Sequence, residues 1–447
     1  MFRLQKLALS AASIAALGVS GLFAQQASAQ TLPTLLVDCD ANTAEFGCLN
    51  GQGASFAFEF ANGIFPDFFP GLYNYASRGS SSGRNSFLAQ NSIDGSVPRP
   101  YIYAFSEAPV TATQATQYAN SLQRAGFGRL VQLPLIGGYV TLAYNSQTGV
   151  TTGVDLEREE FCALFNGTPN ATVGGSSISI PAGLRNATGI RRADGSGTTF
   201  IISTALDAQC GSIAADIDGD GVQRSGETLW SYEVGTSNTF RSRGAGAASV
   251  ADSTCTASGA PNDTVCWPSA FQAEPQNQGI ANVMAANATA QFGYLSGSAL
   301  NLASTLRAAD LENAAGAFVA PNPANASDAT AQGSLVTPDP ANICRTELVV
   351  ANPSAGYPIV GFSYLLAYGD YTPDRTTTGA VSPAAGAFGN RGDFYRNSLT
   401  TLVAQTAVSN NSLRNAASAL DYVVLGQPLG GQIAGRALQC ITSVTGS

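Results

Sequence analysis

The residues best suited to bind a small anion lie in the segment 191–199, which reads RRADGSGTT. Arg192 offers a planar pair of donors that matches two oxygens of one phosphate, and Asp194 lies close enough in sequence to hold that guanidinium in place. Glycines allow the backbone to approach a ligand closely, and hydroxyl side chains add donors. The segment contains both types: Gly195, Gly197, Ser196, Thr198 and Thr199.

The segment that follows this loop is open to two interpretations. Residues 200–202 are predicted either as a short buried strand or as the start of a helix whose free N–H groups face the anion. The loop itself has an alternative too, because a Gly-Ser-Gly surface turn with a solvated arginine pair would look the same. The loop taken alone does not decide between an anion site and a turn.

A second motif, at residues 216–227, reads DIDGDGVQRSGE and fits the twelve-residue calcium loop. Position eight is a glutamine and no flanking helices are evident, so we expect a structural calcium ion within an insertion. The alternative is an acidic turn without metal. The predicted ligands are four carboxylates and one backbone carbonyl: Asp216, Asp218, Asp220, Glu227 and the carbonyl of Val222.

The composition restricts the chemistry. The chain contains no histidine, which excludes Ser-His-Asp and Cys-His hydrolases. No nucleophile lies beside a base in the sequence, and no dense metal cluster adjoins the anion loop, so we predict a binding protein without catalytic residues or a required cofactor. The net charge of -9 argues against nucleic acid or an anionic membrane as partner.

The N-terminus and the cysteines indicate export. Residues 1–29 have a short basic start, an apolar run and a final Ala-Ser-Ala, which is typical of a signal peptide cleaved after Ala29. The even number of cysteines then predicts disulfides. Sequential pairing is the simplest of 105 connectivities, with Cys39–Cys48 and Cys255–Cys266 the most favoured bridges.

The apolar pattern predicts the elements that must position these residues. The mixture indicates an α/β chain with largely parallel sheets. Buried strands are predicted at residues 34–37, 102–105, 138–144, 200–202 and 362–366. Helices are predicted at residues 113–125, 156–165 and 411–420, and exposed loops at residues 80–99, 244–262 and 321–340.

Several further motifs carry a family resemblance in chain order. Residues 51–56 read GQGASF, residues 75–83 read YASRGSSSG, and residues 104–109 read AFSEAP. Landmarks at residues 132–134, 143–145, 267–268, 278–280, 293–294 and 357–359 follow the same order. Together with the 191–199 loop, this set resembles the phosphate-binding proteins of phosphate ABC transporters, which are two-lobed periplasmic receptors.

The resemblance implies a ligand shell drawn from four separate loops. Asp194 would support it from behind. One acceptor among many donors would select hydrogen phosphate over sulfate, because sulfate has no proton to give. The family usually has Asp as this acceptor, whereas this chain has Glu107. The implied shell is Ser55, the backbone of Phe56, Ser80, Glu107, Arg192, Ser196, Gly197 and Thr198.

The resemblance also implies a type II periplasmic-binding-protein fold with two crossover strands, near residues 140–147 and 355–365, and a ligand cleft between two lobes. Lobe I would comprise residues 30–144 and 357–447, and lobe II residues 145–356, including the 216–227 loop. The protein would be a periplasmic or secreted monomer that captures inorganic phosphate and passes it to an inner-membrane ABC permease.

Three alternatives stay open at this point. The receptor could bind a different oxyanion such as arsenate or a phosphonate. The same scaffold could serve a phosphomonoesterase. The fold could also belong to a surface protein without a transport role, in which case Ser80 or Glu107 would be absent from the cleft.

Overall fold

The computed structural model describes residues 49–441, apart from residues 71, 90–100, 122–126, 152, 219, 232–233, 242–263, 287, 351 and 372–391. The predicted signal peptide, the strand at residues 34–37, the loop at residues 244–262, Cys39, Cys48 and Cys255 therefore lie outside the described residues. Among the described residues, no helix combines the length and apolar character that a membrane span needs.

Nineteen strands occur in the described part of the chain. In chain order they are β1 (Leu49–Gly53), β2 (Tyr73–Ser77), β3 (Tyr103–Ser106), β4 (Leu130–Asn145), β5 (Asp155–Leu156), β6 (Thr172–Val173), β7 (Ser176–Ser177), β8 (Thr188–Arg192), β9 (Ser237–Arg241), β10 (Thr264–Pro268), β11 (Gln272–Glu274), β12 (Gln291–Ser296), β13 (Leu306–Ala308), β14 (Asp310–Glu312), β15 (Phe318–Val319), β16 (Ser334–Val336), β17 (Glu347–Val349), β18 (Val360–Tyr368) and β19 (Val423–Val424).

Twelve α-helices accompany these strands within the described residues, together with a 3-10 turn at Ser146–Thr148 and a π-helical turn at Gln405–Ser409. The helices are α1 (Phe58–Phe68), α2 (Ser80–Ala89), α3 (Ala112–Ala119), α4 (Arg158–Asn166), α5 (Ala182–Arg185), α6 (Gly197–Cys210), α7 (Gln276–Ala285), α8 (Gly297–Leu300), α9 (Pro323–Thr330), α10 (Gly392–Ala404), α11 (Asn411–Ala419) and α12 (Leu429–Cys440).

One mixed sheet of ten strands organises the fold. Its main order is β11-β8-β12-β4-β18-β3-β1-β2, and β13 and β19 also pair with β4. All sixteen residues of β4 are buried, which explains why its sequence is an almost continuous apolar run rather than an alternating one. The predicted α/β class and the predicted type II fold are confirmed.

Strand β4 belongs to both halves of this sheet. Its residues 130–139 pair antiparallel with β18, and its residues 140–144 pair antiparallel with β12. The first half-sheet is β2, β1, β3 and β18, and the second half-sheet is β12, β8 and β11. The two long strands predicted as crossovers are therefore present, although β4 begins at Leu130 and β18 extends to Tyr368.

Disulfides fix two elements at their ends. Cys162 of α4 is bonded to Cys210, the last residue of α6, and Cys344 is bonded to Cys440, the last residue of α12. Both bridges follow the predicted sequential pairing. Cys266 is also disulfide-bonded, and its partner lies outside the described residues.

The structure decides one alternative that the sequence left open, and it shows that two loop predictions were wrong. Residues 200–202 lie inside α6, not in a strand, because Ser196 caps the helix and the apolar residues continue at helical spacing through Leu206. Residues 80–89 form α2 despite their weak helix propensity, since Arg84 and Phe87 are buried against the rest of the fold. The predicted loop at residues 321–340 contains α9 and β16.

Candidate functional site

Parallel pairing brings three of the predicted ligand residues to one edge of the first half-sheet. β1 pairs in parallel with both β2 and β3, so their carboxyl ends lie side by side. Ser55 follows β1, Ser80 follows β2 and Glu107 follows β3. Ligands of open α/β sheets bind at this edge of the strands. These residues form the first wall of the site.

The second wall comes from β8 and α6. β8 ends at Arg192, and after a short loop α6 begins at Gly197. The hydroxyl of Ser196 accepts a hydrogen bond from the N–H of Thr199 at 3.2 Å and caps the helix. The first N–H groups of a helix lack partners within the helix and attract anions. The helix start therefore directs backbone donors at the first wall.

Arg192 is completely buried and is fixed on several sides. Its Nε donates to Asp194 Oδ1 at 2.7 Å, and its Nη2 forms an ion pair with Asp194 Oδ2. Nη1 donates to Asn277 Oδ1 at 2.9 Å. Nη2 also reaches the hydroxyl of Ser55 at 3.3 Å, which connects the two walls. The guanidinium is thus held in one orientation before any ligand arrives.

Asp194 carries the negative charge that balances this arginine. Its Oδ1 also accepts a hydrogen bond from the N–H of Gln276 at 2.8 Å. Burial acts to raise the pKa of Asp194, but the Arg192 charge and the hydrogen bonds from Arg192 and Gln276 hold that pKa below its usual value. Asp194 therefore stays ionised and holds the Arg192 guanidinium in place.

Glu107 is a buried acidic side chain that lies where the two walls meet. It is 2% exposed. Its Oε2 accepts a hydrogen bond from Ser80 at 2.6 Å, and its Oε1 accepts one from Ser363 at 2.8 Å. Burial raises the pKa of Glu107 to about 7, although the two serine hydroxyls and the charge of Arg192 act in the opposite direction. The carboxyl can therefore exchange its proton near neutral pH.

The two walls touch, so the cleft is closed. The N–H of Gly197 donates to the hydroxyl of Ser80 at 3.0 Å, and the N–H of Ser81 donates to the carbonyl of Gly195 at 3.4 Å. The hydroxyls of Ser81 and Thr236 are 2.5 Å apart. The first contact depends on a small residue at the start of α6, because it brings the Gly197 backbone against the Ser80 side chain.

Thr198, Ser196 and Phe56, which are also predicted ligand residues, lie at the same site. Each of them already makes a hydrogen bond within the protein. The hydroxyl of Thr198 lies 3.4 Å from Arg192 Nη1, and the hydroxyl of Ser196 is used as the helix cap. Both hydroxyls accept in these contacts, so each keeps a proton that it can donate to a ligand. The N–H of Ser196, in contrast, already donates to the Thr236 carbonyl at 2.9 Å. The Phe56 carbonyl accepts a hydrogen bond from the hydroxyl of Tyr422, which fixes the turn that carries the Phe56 N–H.

Sequence reasoning missed several residues that complete the site. Asn277 follows β11 and links Arg192 to the hydroxyl of Ser296, to which it donates at 2.9 Å. The hydroxyl of Tyr294 accepts the N–H of Arg192 at 3.0 Å. Ser363 belongs to β18. Asn277 and Ser296 lie at the carboxyl ends of strands parallel to β8. A polar residue at such a position is the sequence feature that could have identified them as site residues.

The structure also places a serine hydroxyl against a buried carboxylate, which the sequence did not suggest. Ser80 donates its hydroxyl proton toward the Glu107 carboxylate, whose pKa lies near neutrality. A hydroxyl next to a base and beside an anion-binding helix start is an arrangement found in covalent catalysis. The sequence did not indicate this contact, because it joins two separate loops of the chain.

An arginine takes part in the loop that the sequence predicts to bind calcium. Carboxylate oxygens of Asp216, Asp218 and Asp220 converge within 4.8 Å. The Arg224 guanidinium forms ion pairs with Asp218, Asp220 and Glu227, and it also approaches the Val222 carbonyl at 3.4 Å. The oxygen-rich donor set suits calcium, but Arg224 competes for the same oxygens. Calcium binding stays a prediction.

A family model described as the PBP superfamily domain matches residues 50–390 of this chain. Alkaline phosphatase L of Pseudomonas aeruginosa is 27% identical over 334 residues, which is 72% of this chain and 75% of that protein. A phosphate-binding protein from an unknown prokaryotic organism is 28% identical over 167 residues, which is 36% of this chain and 42% of that protein.

Solved structures show the same fold. A high affinity periplasmic phosphate-binding protein (PfluDING) bound with phosphate gives a TM-score of 0.59 at 21% identity, covering 87% of this chain and 93% of that one. The phosphate-binding protein from Stenotrophomonas maltophilia gives 0.58 at 19% identity, with the same coverage. This chain therefore belongs to the PBP superfamily and has the fold of the periplasmic phosphate-binding proteins.

Proposed function

We propose that this protein is an exported receptor that captures inorganic phosphate, in the form of hydrogen phosphate, between its two half-sheets. The observation that carries the proposal is the position of Glu107, a buried acceptor directly opposite the start of α6. Arg192, the hydroxyls of Ser55 and Ser196 and the N–H groups at residues 197 and 198 are donors. A protonated tetrahedral oxyanion satisfies both kinds of group, whereas a fully deprotonated one meets repulsion at Glu107.

We also propose a hinge motion of the two lobes and a partner protein that receives the phosphate. Lobe I (residues 30–144 and 357–447) and lobe II (residues 145–356) would rotate about the two long strands, as in hinge closure around a ligand. The closed form would then dock on an inner-membrane ABC permease. The predicted signal peptide supports a periplasmic or secreted location, and the family supports the receptor role.

Calorimetric titration of the protein with phosphate, sulfate and arsenate tests this proposal. We expect one phosphate per chain and sulfate binding weaker by about 100-fold or more, because sulfate leaves Glu107 facing a bare oxygen. Arsenate, which has the same shape and carries a proton, should compete with phosphate. Equal affinity for sulfate and phosphate would contradict the assigned role of Glu107, and lack of phosphate binding would contradict the function.

A second candidate function is phosphomonoester hydrolysis, and the Ser80–Glu107 pair is the observation that favours it. Ser80 Oγ would bond to phosphorus as the phosphorus–oxygen bond to the alcohol breaks, and Glu107 would move the serine proton to the departing alkoxide. Water would then cleave the phosphoserine and release phosphate. The relative named alkaline phosphatase L adds support for this candidate.

Turnover of p-nitrophenyl phosphate separates the two functions. A hydrolase would release nitrophenolate in the wild type and lose this activity in Ser80→Ala, while Ser82→Ala, at a neighbouring serine in α2, would keep it. A receptor would bind phosphate tightly and release no nitrophenolate. A third possibility, a surface protein that lost the site, receives no support from Ser80 and Glu107, since both lie in the cleft.

A further inference from the structure

A large cavity is lined by residues of α3 and of the segment 338–347. Its volume is about 880 Å³, which lies within the range of pockets that hold small organic molecules. The described residues that line it include none of the proposed phosphate ligands, so it is a separate site. Part of its surface is an apolar wall, formed by Ala108, Val110, Ala115, Leu130, Phe200 and Pro340.

Two buried arginines line this cavity, and backbone carbonyls hold them in place. Arg84 Nη1 donates to the carbonyl of Ala108 at 3.3 Å and to that of Pro109 at 2.9 Å. Arg345 Nη2 donates to the carbonyl of Val110 at 2.7 Å. Groups that are oriented before a ligand arrives lose less conformational entropy when it binds. The cavity therefore has fixed cationic groups.

Arg345 is a buried cation without an ion-pair partner. It is 4% exposed, and its Nε has no hydrogen-bond partner. Within the described part of the chain, neither Arg345 nor Arg129, a half-buried arginine at the same cavity, forms an ion pair. A buried charge without a partner is costly, and such groups in a cleft are candidates for a binding role.

The acidic side chains at the cavity balance the arginines only in part. Asp339 and Glu347 line it. Burial raises the pKa of Glu347, although the charge of Arg345 acts in the opposite direction. Among the described lining residues, three arginines and two carboxylates leave one positive charge in excess. A ligand with a single negative charge balances this excess, whereas hydrogen phosphate carries two.

The start of helix α3 adds donors to the same cavity. Thr111, which caps the helix, and Ala112 both line it. The capping box uses the N–H groups of Thr111 and Gln114, and it leaves those of Ala112 and Thr113 without an acceptor in the helix. The free N–H groups at a helix start attract anions. The helix start and the arginines therefore favour the same kind of ligand.

We propose that this cavity binds a small monocarboxylate with an apolar body, whose carboxylate lies at Arg345 and Arg129 and whose body packs on the apolar wall. The planar fork of an arginine matches the two oxygens of a carboxylate, and the apolar wall accounts for the body. This inference goes beyond the proposed function and does not depend on it, because the two sites share no described residue.

Calorimetry with 3-phenylpropanoate, 3-phenylpropanamide and acetate tests the inference. We expect 3-phenylpropanoate to bind at least about tenfold more tightly than either of the others, because the amide lacks the charge and acetate lacks the apolar body. Saturating phosphate should change this affinity by less than about twofold. Displacement of 3-phenylpropanoate by phosphate would place the carboxylate in the oxyanion site and overturn the inference.

Arginine variants locate the carboxylate. Arg345→Met keeps the length of the side chain but removes its charge, and it should reduce the affinity for 3-phenylpropanoate to that for the amide. Arg129→Met, at a half-buried position, replaces it if the buried variant does not fold, and should weaken binding by about tenfold. Arg158→Met is the matched control, because Arg158 is half-buried in α4 and its Nε also lacks a partner.

The outcomes separate this inference from the proposed function. Equal affinity of the wild type for the acid and the amide would overturn the inference, as would undiminished affinity in both Arg345→Met and Arg129→Met. Selective loss in these variants, with Arg158→Met unchanged, would support it. Failure of the protein to bind phosphate would contradict the proposed function alone.

Discussion

At the scale of single residues, Arg192 and Glu107 set the chemistry of the site. Arg192 is a buried cation that Asp194, Asn277 and Ser55 hold in place. Glu107 is a buried acid whose oxygens accept two serine hydroxyls. A fixed donor facing a fixed acceptor distinguishes oxyanions by their protons as well as by their charge. Two predictions follow from this pair.

Replacing Arg192 with Lys should weaken phosphate binding by about 100-fold or more. The lysine keeps the charge but loses the planar fork, and each charge-assisted hydrogen bond contributes about 1.5–3 kcal/mol. Calorimetry measures the loss. Arg185→Lys, in α5, is the matched control and should bind phosphate as the wild type does. An Arg192→Lys variant with affinity within about threefold of the wild type would place the anion elsewhere.

Glu107 should make the ligand-free protein less stable as the pH rises. Its folded pKa, about 7, lies above its ordinary value of 4.5, so the folded state binds more protons than the unfolded state between these values. The free energy of unfolding therefore falls from pH 4.5 to 7, by about 3 kcal/mol in total, and the full penalty is present above pH 7.

Glu107→Gln removes this titration and should abolish the fall. In phosphate-free buffer, the free energy of unfolding can be measured by urea denaturation. Near pH 4.5 Glu107 is protonated in the folded wild type, so there the pH dependence of both proteins should come from their other groups alone. Near pH 8 the variant should gain stability relative to the wild type, by up to about 3 kcal/mol. A difference between the two proteins that stays constant across this pH range would mean that Glu107 titrates normally.

At the scale of elements, helix α6 needs a residue without a side chain at its start. A Cβ at Gly197 would lie 2.1 Å from Glu107 Oε2 and 2.5 Å from Ser80 Oγ. Both groups are buried and hydrogen-bonded, so neither has room to withdraw. Closure of the cleft therefore depends on this glycine as much as on the donors.

Gly197→Ala should weaken phosphate binding by about tenfold or more, because the walls cannot reach the closed contact distance. Gly435→Ala is the matched control. It lies inside α12 with no atom within 4 Å of an added Cβ, so it should leave affinity unchanged and increase stability by about 0.5–1 kcal/mol. Calorimetry measures the phosphate affinity of both variants, and thermal denaturation measures their stability. Unchanged affinity in Gly197→Ala would exclude the closed form as the binding form.

The loop at residues 216–227 gives a prediction that concerns metal. If calcium binds, it must displace the Arg224 guanidinium from Asp218, Asp220 and Glu227. Calcium should then raise the melting temperature of the wild type relative to EDTA, and Arg224→Gln should increase that shift because a competing cation is gone. Asp218→Asn combined with Asp220→Asn should cancel it. No response to calcium in either the wild type or Arg224→Gln would show an acidic turn closed by arginine alone.

Sequence reasoning located the walls of the site but not their final chemistry. The glycine- and serine-rich motifs at residues 51–56, 75–83 and 191–199 are local, so they could be recognised in the chain. Ser363, Asn277 and Thr236 lie far from those motifs along the chain, and only the tertiary fold brings them to the site. The role of Ser80 as a donor to Glu107 likewise depends on a contact between two loops.

The same reason explains the errors at the level of elements. Residues 80–89 are polar and small, and their helix is stabilised by tertiary burial of Arg84 and Phe87 rather than by local propensity. Residues 200–202 read equally well as strand or helix over so short a window. The cap at Ser196 and the spacing through Leu206 resolved them as helix.

At the scale of the whole molecule, β4 is the strand that joins the two half-sheets. It leaves β18 and joins β12 between residues 139 and 140, so it connects the half-sheet that carries Glu107 with the half-sheet that carries Arg192. A ligand held between these residues couples its binding to the relative position of the half-sheets. This coupling would give a partner protein a means to distinguish the loaded form.

The most direct test of the account locates the anion. A crystal of the protein grown with arsenate, a phosphate analogue with an anomalous signal, shows the anion as a peak in an anomalous difference map. We predict one strong peak within hydrogen-bond distance of the Arg192 guanidinium and the N–H groups at residues 197 and 198, with Glu107 on its remaining side. A fully occupied peak elsewhere, with none between these residues, would contradict the account.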